Sequence, residues 1–329
     1  YRILPVGYTS AAAVLRLYTA HLKASPGFES QRLAECTGVR DSMNTMPAGT
    51  HAIFTGDLNF YTQAAEPGYA KLLESQANNI GRLYDLLPGG SWHDGPSFAP
   101  IHTQSTCLNA PCASGAATGG MDDRFDFILP TYSLGTGQGL AVIPGTCISV
   151  GNDGLHFNKN ITDAPTIPEG AAYATALKLT SDHLPVRVDL QLPAQIMTDP
   201  ALAFGTVIVG APAPMQSLGM NNPAVAPADS LNCTFVAPPG FGTPGPVAVA
   251  AGGVAFPAIT MSTSAPGLKS GNLTVLSDAP DDPTTLVGLS GTVLNHAVAS
   301  LDSTTTLLAG TLDFGDHEFG AFSDQSVRL

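Results

Sequence analysis

At Pro193 the chain changes character, and that break constrains its fold more than any other feature. Beyond it, residues 196–329 are rich in Val, Ala, Thr, Gly and Pro. They are cut into short alternating runs: GTVIVG (205–210), LNCTFVAP (231–238), NLTVLS (272–277) and TTLVGLSGTVL (284–294). Side chains alternate across a strand, so such runs, bounded by Gly and Pro, predict an all-β sandwich. ALAFGTVIVG (201–210) is partly repeated as TLDFGDHEFG (311–320), which suggests that a further repeat begins near residue 310 and is cut short.

Before the break the periodicities are mixed, which predicts α/β structure. AVLRLYTAHLKA (13–24) is strand-like up to His21. SQRLAECTGVRDSMNTM (30–46) spaces Leu33, Cys36, Val39 and Met43 as a helix would, with Ser30 as its expected N-cap. HAIFTGDLNF (51–60) is an apolar strand that ends in Asp57 and Asn59. EPGYAKLLESQA (66–77) predicts a second helix with Pro67 in its first turn. After an irregular span, 88–122, come a strand in RFDFILPT (124–131) and alternating Leu184, Val186, Val188 and Leu190 in SDHLPVRVDLQL (181–192).

The net charge is −13, and residues 193–329 hold only 2 basic residues against 10 acidic ones. An acidic chain has no general attraction for nucleic acid or anionic membrane; a bound divalent cation would have to invert the field for a phosphate ester. No apolar run is long enough to span a bilayer. The chain starts at Tyr1 and not Met, which suggests a processed or truncated product. Cys107 and Cys112 are placed to close a small disulfide ring, a weak pointer to an oxidising compartment, and no cysteine has zinc-site spacing.

The chemistry-bearing residues of the first part stand at strand ends: His21, Asp57 with Asn59, Asp126, and Asp182 with His183. Singly, each has an ordinary explanation, as a core histidine, a loop cap or a turn. Together they supply what phosphodiester hydrolysis needs, namely carboxylates to orient or deprotonate water and an imidazole to exchange a proton.

TGDLNF, DRFDFIL and SDHLPV, in that order, resemble the motifs of the endonuclease/exonuclease/phosphatase superfamily, which has the deoxyribonuclease-I-like fold. HTQST (102–106) and HFNK (156–159) are similar to stretches of its secreted bacterial members. The resemblance covers about residues 13–192. It implies that Asp57 activates water, that Asn59 holds the phosphate or the transition state, and that Asp126 holds His183 near the scissile phosphate. His21 would be a second phosphate-contacting histidine. Asp182, with Asp57, would ligate a divalent metal: Mg²⁺ first, Mn²⁺ or Ca²⁺ otherwise. Asp122, Asp123 and His102 are expected in a solvated loop. The family's principal metal-binding Glu lies upstream of the HLK strand, yet the residues before His21 contain no Glu, Asp or Asn. The opening half of the fold is thus expected to be missing. The sheet left behind would expose an apolar face for that half, or a neighbouring subunit, to cover.

The second part resembles ASH/Hydin-type immunoglobulin-like domains, known as "choice-of-anchor D", in LAFGTVIVG, LNCTFVAPPGF, LTVLSDAPDDP and VGLSGTVL. Asp278, Asp281 and Asp282 there could bind Ca²⁺, but SDAPDDP reads more simply as a Pro-stiffened turn. The expected organisation is α/β followed by all-β. A partial two-layer α/β sandwich would occupy 1–193, an immunoglobulin-like sandwich 194–309, and a further repeat or linking strand 310–329. The expected function is an exported, secreted or surface-held, metal-dependent phosphoesterase acting on a phosphate ester, nucleic acid included. The alternative is a structural subunit of an extracellular fibre or surface assembly, with the nuclease-like half as a packing module.

Overall fold

The computed structural model describes residues 1–297 together with Asp316 and Gly320. The second copy of the repeat and the boundary at 310 otherwise lie outside the described residues. The structure is mostly β-sheet with few helices.

Residues 201–294 form a β-sandwich. Its larger sheet runs in the order Ala201–Ile208, Thr284–Leu294, Gly267–Ser277, Leu231–Val236 and Val247–Val249. A three-stranded sheet of Met215–Ser217, Ala258–Met261 and Phe241–Gly242 faces it. The alternation of the sequence becomes the inside–outside alternation of these strands. Leu273, Val275, Val287, Leu289 and Val293 point inward onto Ile259 and Met261, all nearly inaccessible to water.

The first region is built on a four-stranded sheet in chain order: β1 (Arg2–Ile3), β2 (Leu15–Thr19), β3 (His51–Asp57) and β4 (Asp126–Pro130). β2 and β3 are parallel, and β4 returns antiparallel to β3. Helices α1 (Glu29–Asn44) and α2 (Pro67–Leu73) belong to the core on one face, where Cys36, Met43, Tyr69 and Leu72 meet Ala52, Phe54, Phe127 and Leu129.

The stripe that α1 buries is only in part the one its apolar spacing suggests: Cys36 and Met43 are in it, while Leu33 and Val39 are half-buried. Arg32, Cys36, Arg40 and Met43 are buried, and both arginines are paid for by specific partners. Arg32 forks onto Glu66 at 2.8 and 2.9 Å. Arg40 gathers backbone carbonyls, Leu72 O at 2.9 Å and Glu74 O at 3.1 Å among them. Ser30 is not the N-cap: the helix starts one residue earlier, Phe28 holds the cap position, and the Glu29 carboxylate accepts from Gly27 N.

The opposite face of the sheet is covered from within the chain, contrary to the sequence expectation. Leu15, Ile53 and Ile128 are buried there against Leu134, Leu140 and Val142, with Val186, Val188 and Leu190 packed around them. The covering segments are the short strands β5 (Ala141–Val142), β6 (Ile148–Ser149), β7 (Val186–Arg187) and β8 (Leu190–Gln191), paired β5–β8 and β6–β7. Breaking 181–192 into two short strands lets its alternating apolar residues fold over this face, so no second subunit is needed to bury it. Between them lies α3 (Ala171–Thr180), which leads into Ser181-Asp182-His183. No helix of the described residues is long and apolar enough to cross a membrane.

Candidate active site

β3 and β4 place two carboxylates opposite each other, since Asp57 pairs with Asp126 in the antiparallel register. Opposed residues of such a pair project from the same side of the sheet. Asp57 is in phase with Ile53 and Asp126 with Ile128, so both acids continue the face of the second core at its open end.

Gly56 brings a third group to them. The chain beyond β2 keeps pairing with β3 through Ala20 N to Thr55 O (3.1 Å) and Leu22 N to Asp57 O (2.9 Å). A Cβ on Gly56 would lie 2.0 Å from Ala20 O, and its φ of +136° disfavours any other residue. This close approach sets His21 beside Asp57, with Nε2 3.2 Å from Oδ2.

His183 arrives from the loop after α3. Its Nδ1 lies 2.6 Å from Asp126 Oδ2, and its Nε2 lies 3.8 Å from Asp57 Oδ2. The buried Thr103 hydroxyl accepts from Phe125 N and Asp126 N, which steadies the start of β4. The sequence-derived residues His21, Asp57, Asn59, Asp126, Asp182 and His183 therefore all line one cleft of about 550 Å³, with Ala24, Ser25, Tyr61, Gln104 and Phe125.

Two of them do not stand as the resemblance implies. The Asn59 amide spends its hydrogens within the protein, on Asp57 Oδ1 (2.9 Å) and Leu22 O (3.2 Å). It is buried with φ at +49°, and it holds Asp57 in place without offering a donor to a phosphate. Asp182 Oδ2 accepts from Ala117 N (2.8 Å) and Gln104 Nε2 (3.2 Å). Among the described residues no group of three His, Cys, Asp or Glu side chains is arranged to hold a metal ion. Asp57 and Asp182 are the carboxylates the cleft would offer to the expected divalent cation.

The proton affinities of the cleft are set by burial and crowding. Burial pushes the Asp57 carboxyl up and the Asp126 charge adds to it, against the pull of His183 and His21. Burial alone would lower His183, but its bond to Asp126 and the charges of Asp126, Asp57 and Asp182 outweigh that, and its pKa is raised. The arrangement can hold and exchange a proton between Asp57 and His183, with Asp126 steering the imidazole.

Two features here are not announced by the sequence. Asp123 and His102 are buried, not solvated, because the irregular span 88–122 folds back over the first core. His102 lies between Trp92 O (2.7 Å) and Met121 O (3.3 Å), and Asp123 pairs with His93 at 2.5 Å. Gln104, directly on His183, stands within HTQST, where nothing marks it out from its neighbours. Cys107 and Cys112 are disulfide-bonded, while Cys36, Cys147 and Cys233 are free. Asp278 and Asp281 accept protein hydrogen bonds in their turn, from Asn232 and from Thr9 and Ser10.

No protein-family model matches the chain, and no curated protein matches it in sequence. Solved structures similar to it include the ASH/PapD-like domain 7 of human CEP192, at 14% identity, covering 32% of this chain and 87% of that one, with a TM-score of 0.27. Another is a protein of unknown function from Porphyromonas gingivalis W83, at 10% identity, covering 58% of this chain and 84% of that one, with a TM-score of 0.25. Neither likeness is close enough to carry an argument, and neither bears on the resemblance of the first region to the endonuclease/exonuclease/phosphatase superfamily.

Proposed function

We propose that the chain is an exported phosphoesterase of nuclease or phosphodiesterase type, its first region one half of a deoxyribonuclease-I-like fold carried on an immunoglobulin-like domain. The observation that supports this most is the convergence of three separated sequence motifs on one cleft, where the pair His183–Asp126 stands next to Asp57. In this reading Asp57, held by Asn59, orients the attacking water and takes its proton. His183, kept in orientation by Asp126, carries a proton to or from a phosphoryl or leaving-group oxygen. His21, exposed at the cleft mouth, contacts the phosphate. Mg²⁺, Mn²⁺ or Ca²⁺ follows from the family resemblance only. None of these steps passes through a cation. Export is supported by the Cys107–Cys112 disulfide.

The alternative of a structural subunit drew on an apolar sheet face awaiting a partner. That face is buried within the chain, which removes this support. The test is hydrolysis of DNA, RNA and bis-p-nitrophenyl phosphate, with and without each divalent cation. Release of product from at least one of them is expected, and inertness towards all of them under every condition would overturn the reading.

A further inference from the structure

Gln104 has no part in the roles given above, yet it makes the shortest contact to the open side of His183. Its Nε2 lies 2.7 Å from His183 Nε2 and 3.2 Å from Asp182 Oδ2. The backbone leaves it little freedom, for it is wedged between two neighbouring segments. Gln104 N donates to Asp123 O, and Gln104 O accepts from Asp122 N and Asp123 N. On the other flank Leu184 N donates to Thr103 O at 2.7 Å and Thr106 N to Asp182 O at 3.1 Å.

The direction of each hydrogen bond follows from what each partner is able to do. A carboxylate only accepts, so the bond at Asp126 Oδ2 requires a hydrogen on His183 Nδ1. In the neutral ring that leaves Nε2 as a lone pair. Asp182 Oδ2 is likewise an acceptor. Of the two ends of the Gln104 amide, only the NH₂ satisfies both neighbours at once, one hydrogen to each. The remaining groups facing this point are Asp57, 3.8 Å from Nε2, and His21 beyond it.

We propose that Gln104 is a positioning residue, whose amide caps the Nε2 lone pair of His183, fixes the ring as its Nδ1–H tautomer and ties it to Asp182. Asp126, His183, Gln104 and Asp182 then form a continuous hydrogen-bonded row across the cleft floor. The resting imidazole is presented as an acceptor already engaged, and the amide has to release Nε2 before that nitrogen takes up a proton. This deepens the proposed function and rests on it for the role of His183, but the contact itself is a property of the resting chain.

The test is a long-range ¹H–¹⁵N correlation spectrum of the histidine rings in the full chain, at one alkaline pH where imidazoles are neutral. A His183→Asn variant assigns the signals. The wild type is expected to show a protonated, pyrrole-type Nδ1 and a pyridine-type Nε2. Gln104→Met, which keeps length and removes the donor, should move the Nε2 signal downfield and leave Nδ1 in place. Gln104→Glu, which presents an acceptor, should put a hydrogen on Nε2. A wild type already protonated on Nε2 overturns the proposal without any variant, and so does an Nε2 signal unmoved in Gln104→Met. Absence of hydrolysis would sink the functional reading without altering this spectrum, so the two failures are told apart.

Discussion

In the proposed reaction Asp57 takes the proton from water, and its environment specifies what replacing it does. Asn59 and His21 hold its two oxygens, and His183 faces it. Asp57→Asn removes the proton acceptor while keeping shape, so hydrolysis should fall by about 100-fold or more, as measured by steady-state turnover. A second acid reports on burial alone. Asp122 is pushed up to about 6 by its burial and then by the charge of Asp123. The folded state therefore binds that proton more tightly than the unfolded chain, and ionising Asp122 costs stability as pH rises from about 4 through about 6. Asp122→Asn should be more stable than wild type above about pH 6, by on the order of 1–2 kcal/mol after solvent screening, and should converge with it below about pH 4. Denaturant melts across that range would show the two curves separating as pH rises, and parallel curves would contradict it. His102, buried beside this cluster, is held low by burial against two backbone bonds.

Among the elements, the parts most legible in sequence were those in which one physical rule acts alone. Period-two alternation between Gly and Pro was enough to place Thr284–Leu294 and the 272–277 part of Gly267–Ser277. Helix α1 was harder because two of the side chains it buries are arginines, and no apolar pattern announces an arginine that a carboxylate or a row of carbonyls will satisfy. Breaking the Arg32–Glu66 pair between α1 and the start of α2 takes the bidentate carboxylate from a buried guanidinium and leaves it the carbonyls of Lys23 and Ser25 and the more distant Glu29. Glu66→Ala should lose about 3–5 kcal/mol in chemical denaturation. The close approach of the chain to β3 offers a second test. Gly56→Ala forces a Cβ into Ala20 O at an unfavourable φ. It should cost on the order of 2 kcal/mol and move His21 away from Asp57, lowering turnover as well as stability. The site was legible in part, because GDLN, RFDF and SDH announce their acids and imidazole directly. Gln104 was not, since a glutamine acquires a role only from the ring that the fold sets against it.

At the scale of the whole molecule, the sandwich is joined to the first region by specific polar contacts. Tyr8 Oη donates to Pro193 O at the junction, Gly139 N donates to Asp229, and the Asp281 carboxylate accepts from Thr9 and Ser10. Asp281 thus does for the N-terminal segment what a cap does for a helix. Asp281→Ala should loosen residues 1–14 towards hydrogen exchange while the sandwich core around Leu273 and Val287 stays protected. Equal protection in variant and wild type would show that the tie carries no energy. The burial of Leu15, Ile53 and Ile128 by the chain's own later segments was out of reach of the sequence, because it depends on how 134–142 and 186–192 fold back, which local periodicity does not encode. The central claim is that this assembled cleft cleaves phosphate esters through His183. Turnover of bis-p-nitrophenyl phosphate by wild type and by His183→Ala, side by side, tests it most directly. The account predicts nitrophenolate release by wild type and a loss of about 100-fold or more in the variant. Release that is equal in the two, or absent from the wild type, would contradict it.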